Sequence, residues 1–97
     1  MGKPEAKIEN YLRRRVKETQ GQIRKAKWIG RTSAPDDYVW WPGGANAWVE
    51  CKAEGQDIDW HSNQGREILG MHDDGLNIFV VSTKDEVDRM IASVRGS

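Results

Sequence analysis

The stretch that decides the fold is residues 35–52, PDDYVWWPGGANAWVECK. Two runs rich in aromatic and β-branched residues flank the triplet Pro42-Gly43-Gly44, and proline and glycine in such a position indicate a tight turn. The stretch therefore predicts a β-hairpin, with one strand over residues 37–41 and the other over residues 47–52.

Upstream of the hairpin, apolar residues recur at helical spacing at Ile8, Leu12 and Val16, which predicts an amphipathic helix over residues 5–20. A short strand is predicted over residues 22–28, followed by a polar loop that leads into the hairpin.

Downstream, a polar loop over residues 53–60 precedes a predicted second helix from 61 to about 71. The apolar run at 76–81 predicts a strand buried on both faces. Ser82 or Thr83 can cap a last helix, with Glu86 at capping-box spacing from Thr83. The order is α-β-β-β-α-β with a C-terminal helix, which predicts an α/β fold with a mixed sheet flanked by helices, in one domain over residues 1–97.

Charge is divided unevenly along a chain whose 15 basic and 15 acidic residues cancel. Residues 1–31 carry ten Lys/Arg against three acids, 10 − 3 = +7, and the remainder carries 5 − 12 = −7. This asymmetry suggests a basic surface for a polyanion, although two solvated faces of opposite sign would have the same composition. The single cysteine, the lack of a signal-peptide pattern and the lack of a long apolar run predict a cytoplasmic protein without a membrane segment.

Glu50 and Lys52 are the sharpest chemical feature of the predicted hairpin. Side chains two apart on a strand share a face, so these two project together while Cys51 points to the opposite face. The pair is either a surface ion pair, which contributes about 0–1 kcal/mol, or a metal ligand beside a cation that orients water.

Asp36 favours the metal site, because it begins the preceding strand and the hairpin places it beside Glu50. Two adjacent carboxylates form a hard oxygen site for Mg²⁺ or Mn²⁺, and without a cation they would raise each other's pKa. Asp37 should point to the other face. A metal held by Asp36 and Glu50, with Lys52 near the attacking water, has the charge distribution that phosphodiester hydrolysis needs.

With Glu5 in the first helix and Gln64 at the start of the second, Pro35-Asp36 and Glu50-Cys51-Lys52 resemble the PD-(D/E)XK nucleases. The pattern is most similar to their virus-type replication-repair nuclease (VRR-Nuc) domain, over roughly residues 5–92. The family carries a glycine before Pro-Asp where this chain has Ser33-Ala34.

The resemblance implies a metal-dependent endonuclease acting on DNA, with Mg²⁺ or Mn²⁺ as the cofactor. Catalytic roles are expected for Asp36, Glu50, Lys52, Gln64 and Glu5, with Glu9 as the alternative to Glu5. The expected metal ligands are Asp36, Glu50, Glu5 and the backbone carbonyl of Cys51. Stand-alone members of this size resemble phage-encoded homodimers acting on branched DNA such as Holliday junctions.

Basic residues near the predicted site are candidate phosphate contacts: Lys25, Lys27, Arg31 and Arg14, the last within a run of three arginines. His61 and His72 lack zinc-site spacing, and no glycine-rich phosphate loop suggests a nucleotide cofactor. Two alternatives remain open from the sequence: a nuclease for flaps, ends or single strands, and a catalytically silent DNA-binding accessory module.

Overall fold

The computed structural model describes residue 4, residues 6–31 and residues 33–96. Three helices and four strands occur in this part of the chain, in the predicted order. The helices are α1 (Ala6–Glu18), α2 (Asn63–Asp73) and α3 (Lys84–Gly96), and the strands are β1 (Gln22–Lys25), β2 (Asp37–Trp40), β3 (Asn46–Cys51) and β4 (Ile78–Val81).

The strands form one mixed sheet in the order β1-β2-β3-β4. The hairpin predicted from the Pro-Gly-Gly turn is present as the antiparallel pair β2 and β3, with Asp37 opposite Val49. β4 runs parallel to β3, and α2 lies in the crossover between them. The predicted mixed sheet with flanking helices is confirmed.

One face of the sheet, which we call the α1/α3 face, is covered by the first and last helices. Ile8, Leu12 and Val16 of α1 are fully buried there, as the apolar stripe of the sequence predicts. Cys51 is buried in the same layer, so β3 directs it away from Glu50 and Lys52 as expected.

The other face, which we call the α2 face, has a smaller apolar cluster. Ile68 of α2 packs there with Ile58 and with Ile78 of β4, and Trp48 of β3 borders the cluster. β4 thus contacts apolar residues on both sides, as predicted from its continuous apolar run.

Several element ends differ from the sequence prediction by one to three residues, among them the end of β1, the end of α1 and both ends of α2 and β3. β1 ends at Lys25 rather than at residue 28, because the last backbone bond to β2 runs from Ala26 N–H to the Asp36 carbonyl at 2.7 Å. α1 ends at Glu18 rather than at residue 20. α2 begins at Asn63 rather than at residue 61, since the Ser62 hydroxyl caps it by accepting a bond from Gly65 N–H at 3.1 Å.

Candidate active site

Glu50, near the C-terminal end of β3, is the centre of the candidate site. Asp37 pairs with Val49 across the hairpin, so Asp36 is next to Glu50 in the antiparallel register. Side chains alternate along a strand, and Asp36 and Asp37 consequently lie on opposite faces of β2. Asp36 is exposed at the edge of the site, whereas the Glu50 side chain is almost fully buried.

The Glu50 carboxylate has an unsatisfied oxygen. Its Oε1 is buried and has no hydrogen-bond partner among the residues that the structure describes. Burial and the negative charge of Asp36 raise the pKa of Glu50 above its usual value, and Lys52, Gln64 and the Asp36 backbone amide oppose that rise. A cation placed between Glu50 and Asp36 would stabilise the ionised form of the Glu50 carboxylate.

Lys52 forms an ion pair with the second oxygen of Glu50. Its Nζ is 3.6 Å from Glu50 Oε2 and donates a hydrogen bond to Gln64 Oε1. Gln64 lies in the first turn of α2, which Ser62 caps, so the helix fixes the amide that orients the lysine. The structure therefore brings together four of the predicted catalytic residues: Asp36, Glu50, Lys52 and Gln64.

These residues fit a divalent cation with a small set of protein ligands. The buried, unpartnered oxygen of Glu50 beside Asp36 offers the hard oxygen donors that Mg²⁺ and Mn²⁺ prefer. No cluster of three or more His, Cys, Asp or Glu side chains suited to a metal occurs in the described part of the chain. Mg²⁺ usually binds one or two carboxylates and keeps several waters, so two side chains suffice. The predicted ligand Glu5 lies outside the described residues.

The four predicted phosphate contacts separate into two groups. Lys27 and Arg31 lie on the loop that leads to Asp36, and both are exposed. Lys25 lies on the α1/α3 face, where its Nζ is 2.6 Å from Glu9 Oε2. Arg14 lies on α1, with its guanidinium over the Tyr11 ring at 5.1 Å. The structure thus places only the first two on the loop beside the site.

Asp37 and Glu9 form a second acidic pair behind the site, on the α1/α3 face. Asp37 is fully buried and neither of its oxygens has a hydrogen-bond donor among the described residues. Arg13 Nη2 is 3.9 Å from Asp37 Oδ1. Burial and the adjacent Glu9 raise the pKa of Asp37 to about 8. Burial also raises the pKa of Glu9, but bonding to Asp37 and Lys25 lowers it further, so Glu9 is the ionised partner and Asp37 holds the proton.

Aromatic rings continue from the site along the α2 face. The Trp28 ring packs against the Trp48 ring with centroids 4.9 Å apart and planes tilted by 47°, and the centroids of Trp48 and Tyr38 are 4.5 Å apart. The Trp28 indole N–H also donates to the Pro35 carbonyl at 2.8 Å, which ties the loop to the start of β2. Trp28 and Trp48 thus support the backbone that carries Asp36. Trp60, in the loop before α2, is exposed.

Some residues near the site had no sequence signal that singled them out. Asn63 and Arg66 on α2 line a polar cleft together with Arg31, although each is an unremarkable helix residue in the sequence. The three-residue spacing of Asn63 and Arg66 places both on one face of α2, but the sequence did not indicate that this face meets the loop of Arg31. Glu9 was considered as an alternative metal ligand, but it contacts Lys25 and Asp37 on the other side of the sheet.

A four-stranded mixed sheet with an Asp, a Glu and a Lys converging at the end of a central hairpin defines the PD-(D/E)XK type of nuclease fold. A solved structure described as a VRR_NUC domain has a TM-score of 0.81 and 33% sequence identity to this chain, with 93% of this chain and 96% of that one covered. The chain belongs to the VRR_NUC domain family, which implies a nuclease of the PD-(D/E)XK type. No family model and no curated protein matches it.

Proposed function

We propose that this protein is a metal-dependent endodeoxyribonuclease that hydrolyses phosphodiester bonds with Mg²⁺ or Mn²⁺. The observation that carries the proposal is the buried, unpartnered Oε1 of Glu50, set beside Asp36 and opposite Lys52. A buried carboxylate without a partner is costly, and a cation bound there would offset that cost.

The residues have distinct roles in this proposal. Asp36, Glu50 and the Cys51 carbonyl would hold the cation, which would supply positive charge to the non-bridging phosphate oxygens. Lys52 positions the attacking water and stabilises the charge that develops on the phosphate. Gln64 accepts a bond from Lys52 and keeps its ammonium group directed at the site.

Branched DNA such as a Holliday junction is the proposed substrate, and a homodimer is the proposed form, since two symmetric cuts need two active sites. Flap, end or single-strand cleavage is the alternative within nucleases. A silent DNA-binding accessory module is the alternative outside enzymes, and the assembled Asp36, Glu50 and Lys52 favour catalysis over it. The proposed location is the cytoplasm. No helix in the described ranges is long and apolar enough to cross a membrane.

The first test compares cleavage by wild type, Lys52→Ala and the control variant Lys84→Ala, which removes a lysine from the exposed surface of α3. Removing one group that stabilises transition-state charge lowers turnover by roughly 10²–10³-fold. We expect that loss for Lys52→Ala in Mn²⁺, no loss for Lys84→Ala, and no cleavage by wild type in EDTA.

The substrates are a four-way junction, a flap, a nicked duplex and a linear duplex, each labelled on one strand. Preferred cutting of the junction supports the proposed substrate, and preferred cutting of the flap supports the alternative. Cleavage by Lys52→Ala at the wild-type rate would show that the mechanism is wrong. Binding of junction DNA by wild type without cleavage in either metal would identify an accessory module.

A further inference from the structure

A polar cleft of about 410 Å³ lies between the loop before Asp36 and the first turns of α2. Its lining residues are Gly30, Arg31, Ser33, Asn63, Arg66 and Glu67. Two of these are arginines, and the others are polar except for the glycine. Two lining residues are close in sequence to the candidate site. Asn63 immediately precedes Gln64 on α2, and Ser33 lies three residues before Asp36.

One arginine of this cleft is already paired with a carboxylate. Glu67 Oε1 is 3.3 Å from Arg31 Nη1, and the Glu67 side chain is about three-quarters buried, with 24% of it exposed. Arg31 is the sole basic group within ion-pair distance of Glu67 among the described residues. A carboxylate paired with an exposed arginine presents acceptor oxygens to its N–H groups, as a phosphate would.

Arg66 has no such acid. Among residues 4, 6–31 and 33–96, no carboxylate lies within ion-pair distance of its guanidinium, although Glu67 is its neighbour in sequence. The cleft therefore combines one uncompensated arginine with one that is held by an internal acid. This arrangement fits a single anion that bridges the two guanidinium groups.

We propose that this cleft binds a backbone phosphate of the DNA next to the bond that is cut, and that Glu67 competes with that phosphate for Arg31. The proposal rests on the proposed function, since it assumes a nucleic-acid substrate. When DNA binds, Arg31 moves from Glu67 to the phosphate, Arg66 contacts the same phosphate, and Asn63 donates an amide hydrogen to it. Glu67 thereby lowers the affinity for DNA and makes the cleft selective for a phosphate that is correctly placed for both arginines.

The test measures DNA binding in EDTA, where no cleavage occurs, by fluorescence anisotropy of a labelled four-way junction over a series of salt concentrations. Arg31→Gln and Arg66→Gln are each expected to weaken binding by about fivefold, the upper end for one exposed charge pair. Each should also make the negative slope of log affinity against log salt shallower by about one. Glu67→Gln is expected to tighten binding by roughly twofold to fivefold, because Arg31 no longer has to leave an internal partner.

The matched controls are Asp85→Asn and Arg89→Gln, which make the same charge changes in an exposed pair on α3, with 2.6 Å between Asp85 Oδ2 and Arg89 Nη2. These controls should change affinity by less than twofold. In the double variant Arg31→Gln/Glu67→Gln, the tightening by Glu67→Gln should shrink, since its main target has been removed.

The signs of the effects separate this proposal from a purely structural role. If the pair only held the loop to α2, Arg31→Gln and Glu67→Gln would both weaken binding, and both would lower the thermal midpoint. That result would overturn the proposal while leaving the nuclease function intact. Wild-type affinity in the three single variants of the cleft and in the double variant would overturn it as well. Failure of wild type to bind or cut any DNA would instead reject the proposed function itself.

Discussion

Asp36 and Asp37 are adjacent in the chain and face opposite environments. Asp36 is exposed and adjoins Glu50 at the candidate site, whereas Asp37 is buried against Glu9 on the α1/α3 face. The alternation of side chains along β2 is sufficient to predict this separation from the sequence. That Asp37 would meet another acid could not be predicted, because it depends on how α1 packs across the sheet.

Asp37→Asn should change how stability depends on pH. The folded-state pKa of Asp37, about 8, is above its unfolded value of 3.8, so Asp37 favours folding when it is protonated. Its contribution is fully present below about pH 4 and is lost as pH rises through 8. Asparagine does not titrate and keeps the shape, so the variant should be more stable than wild type at pH 8.5 by on the order of 2 kcal/mol.

Urea unfolding at pH 5.0 and pH 8.5 measures this difference. The difference in free energy of unfolding between Asp37→Asn and wild type should be larger at the higher pH. Glu9 is common to both proteins, and its lowered pKa affects stability only in acid, below about pH 4.5. Parallel stability curves for the two proteins across this pH range would contradict the assignment of the proton to Asp37.

At the scale of elements, the hairpin turn and the cap of α3 were predictable from local signals. Thr83 caps α3 by accepting the Glu86 N–H at 3.0 Å, and the Glu86 carboxylate accepts the Ser82 N–H at 2.8 Å, so both candidate cap residues take part. The end of β1 was not predictable, because Trp28 lies outside the strand and packs against Trp48. That contact joins distant parts of the chain, and residue propensity carries no information about it.

Gly65 fixes how closely α2 approaches the preceding loop. A Cβ at this position would lie 2.6 Å from the Trp60 Cα and would also meet the Asp59 carbonyl. Backbone atoms cannot give way as a flexible side chain can, so Gly65→Ala should destabilise the protein by about 1–3 kcal/mol. Gln64 would move with the helix, and cleavage should fall as well.

Gly70→Ala is the matched control on the same helix. Nothing lies within 4 Å of a Cβ at position 70, and alanine has the higher helix propensity, so this variant should gain up to about 1 kcal/mol. Chemical denaturation of both variants, together with the cleavage assay, tests the difference. Equal effects at 65 and 70 would mean that the close approach of α2 to the loop at 59–60 does not matter.

At the scale of the whole molecule, the element order was sufficient to predict the mixed sheet and its flanking helices, and the solved VRR_NUC domain has a matching fold. The charge asymmetry predicted a basic surface, but it could not tell which basic residues meet acids within the molecule. Lys25 is paired with Glu9, whereas Lys27 has no carboxylate partner in the described part of the chain. Such pairing depends on three-dimensional proximity, which composition does not record.

The proposed homodimer makes a prediction about mass. Light scattering should give about twice the chain mass of 11.1 kDa, that is 2 × 11.1 = 22.2 kDa, at the protein concentrations that cut a junction. Two of the four strands of a junction should then be cut within the lifetime of one complex. A mass of 11.1 kDa under conditions where cleavage proceeds would show that one chain is sufficient.

The hairpin has a consequence for how the chain closes on itself. Asp36 and Glu50 are fourteen residues apart and Lys52 and Gln64 are twelve apart, whereas Tyr11 of α1 bonds Asp88 of α3 across 77 residues. The entropic free-energy cost of closing a loop grows by only about 0.6 kcal/mol for each doubling of its length, so it is smaller for the shorter loops. The candidate site is therefore assembled by the contacts that are entropically easiest to form, and the contact between the terminal helices is the one that orders nearly the entire chain.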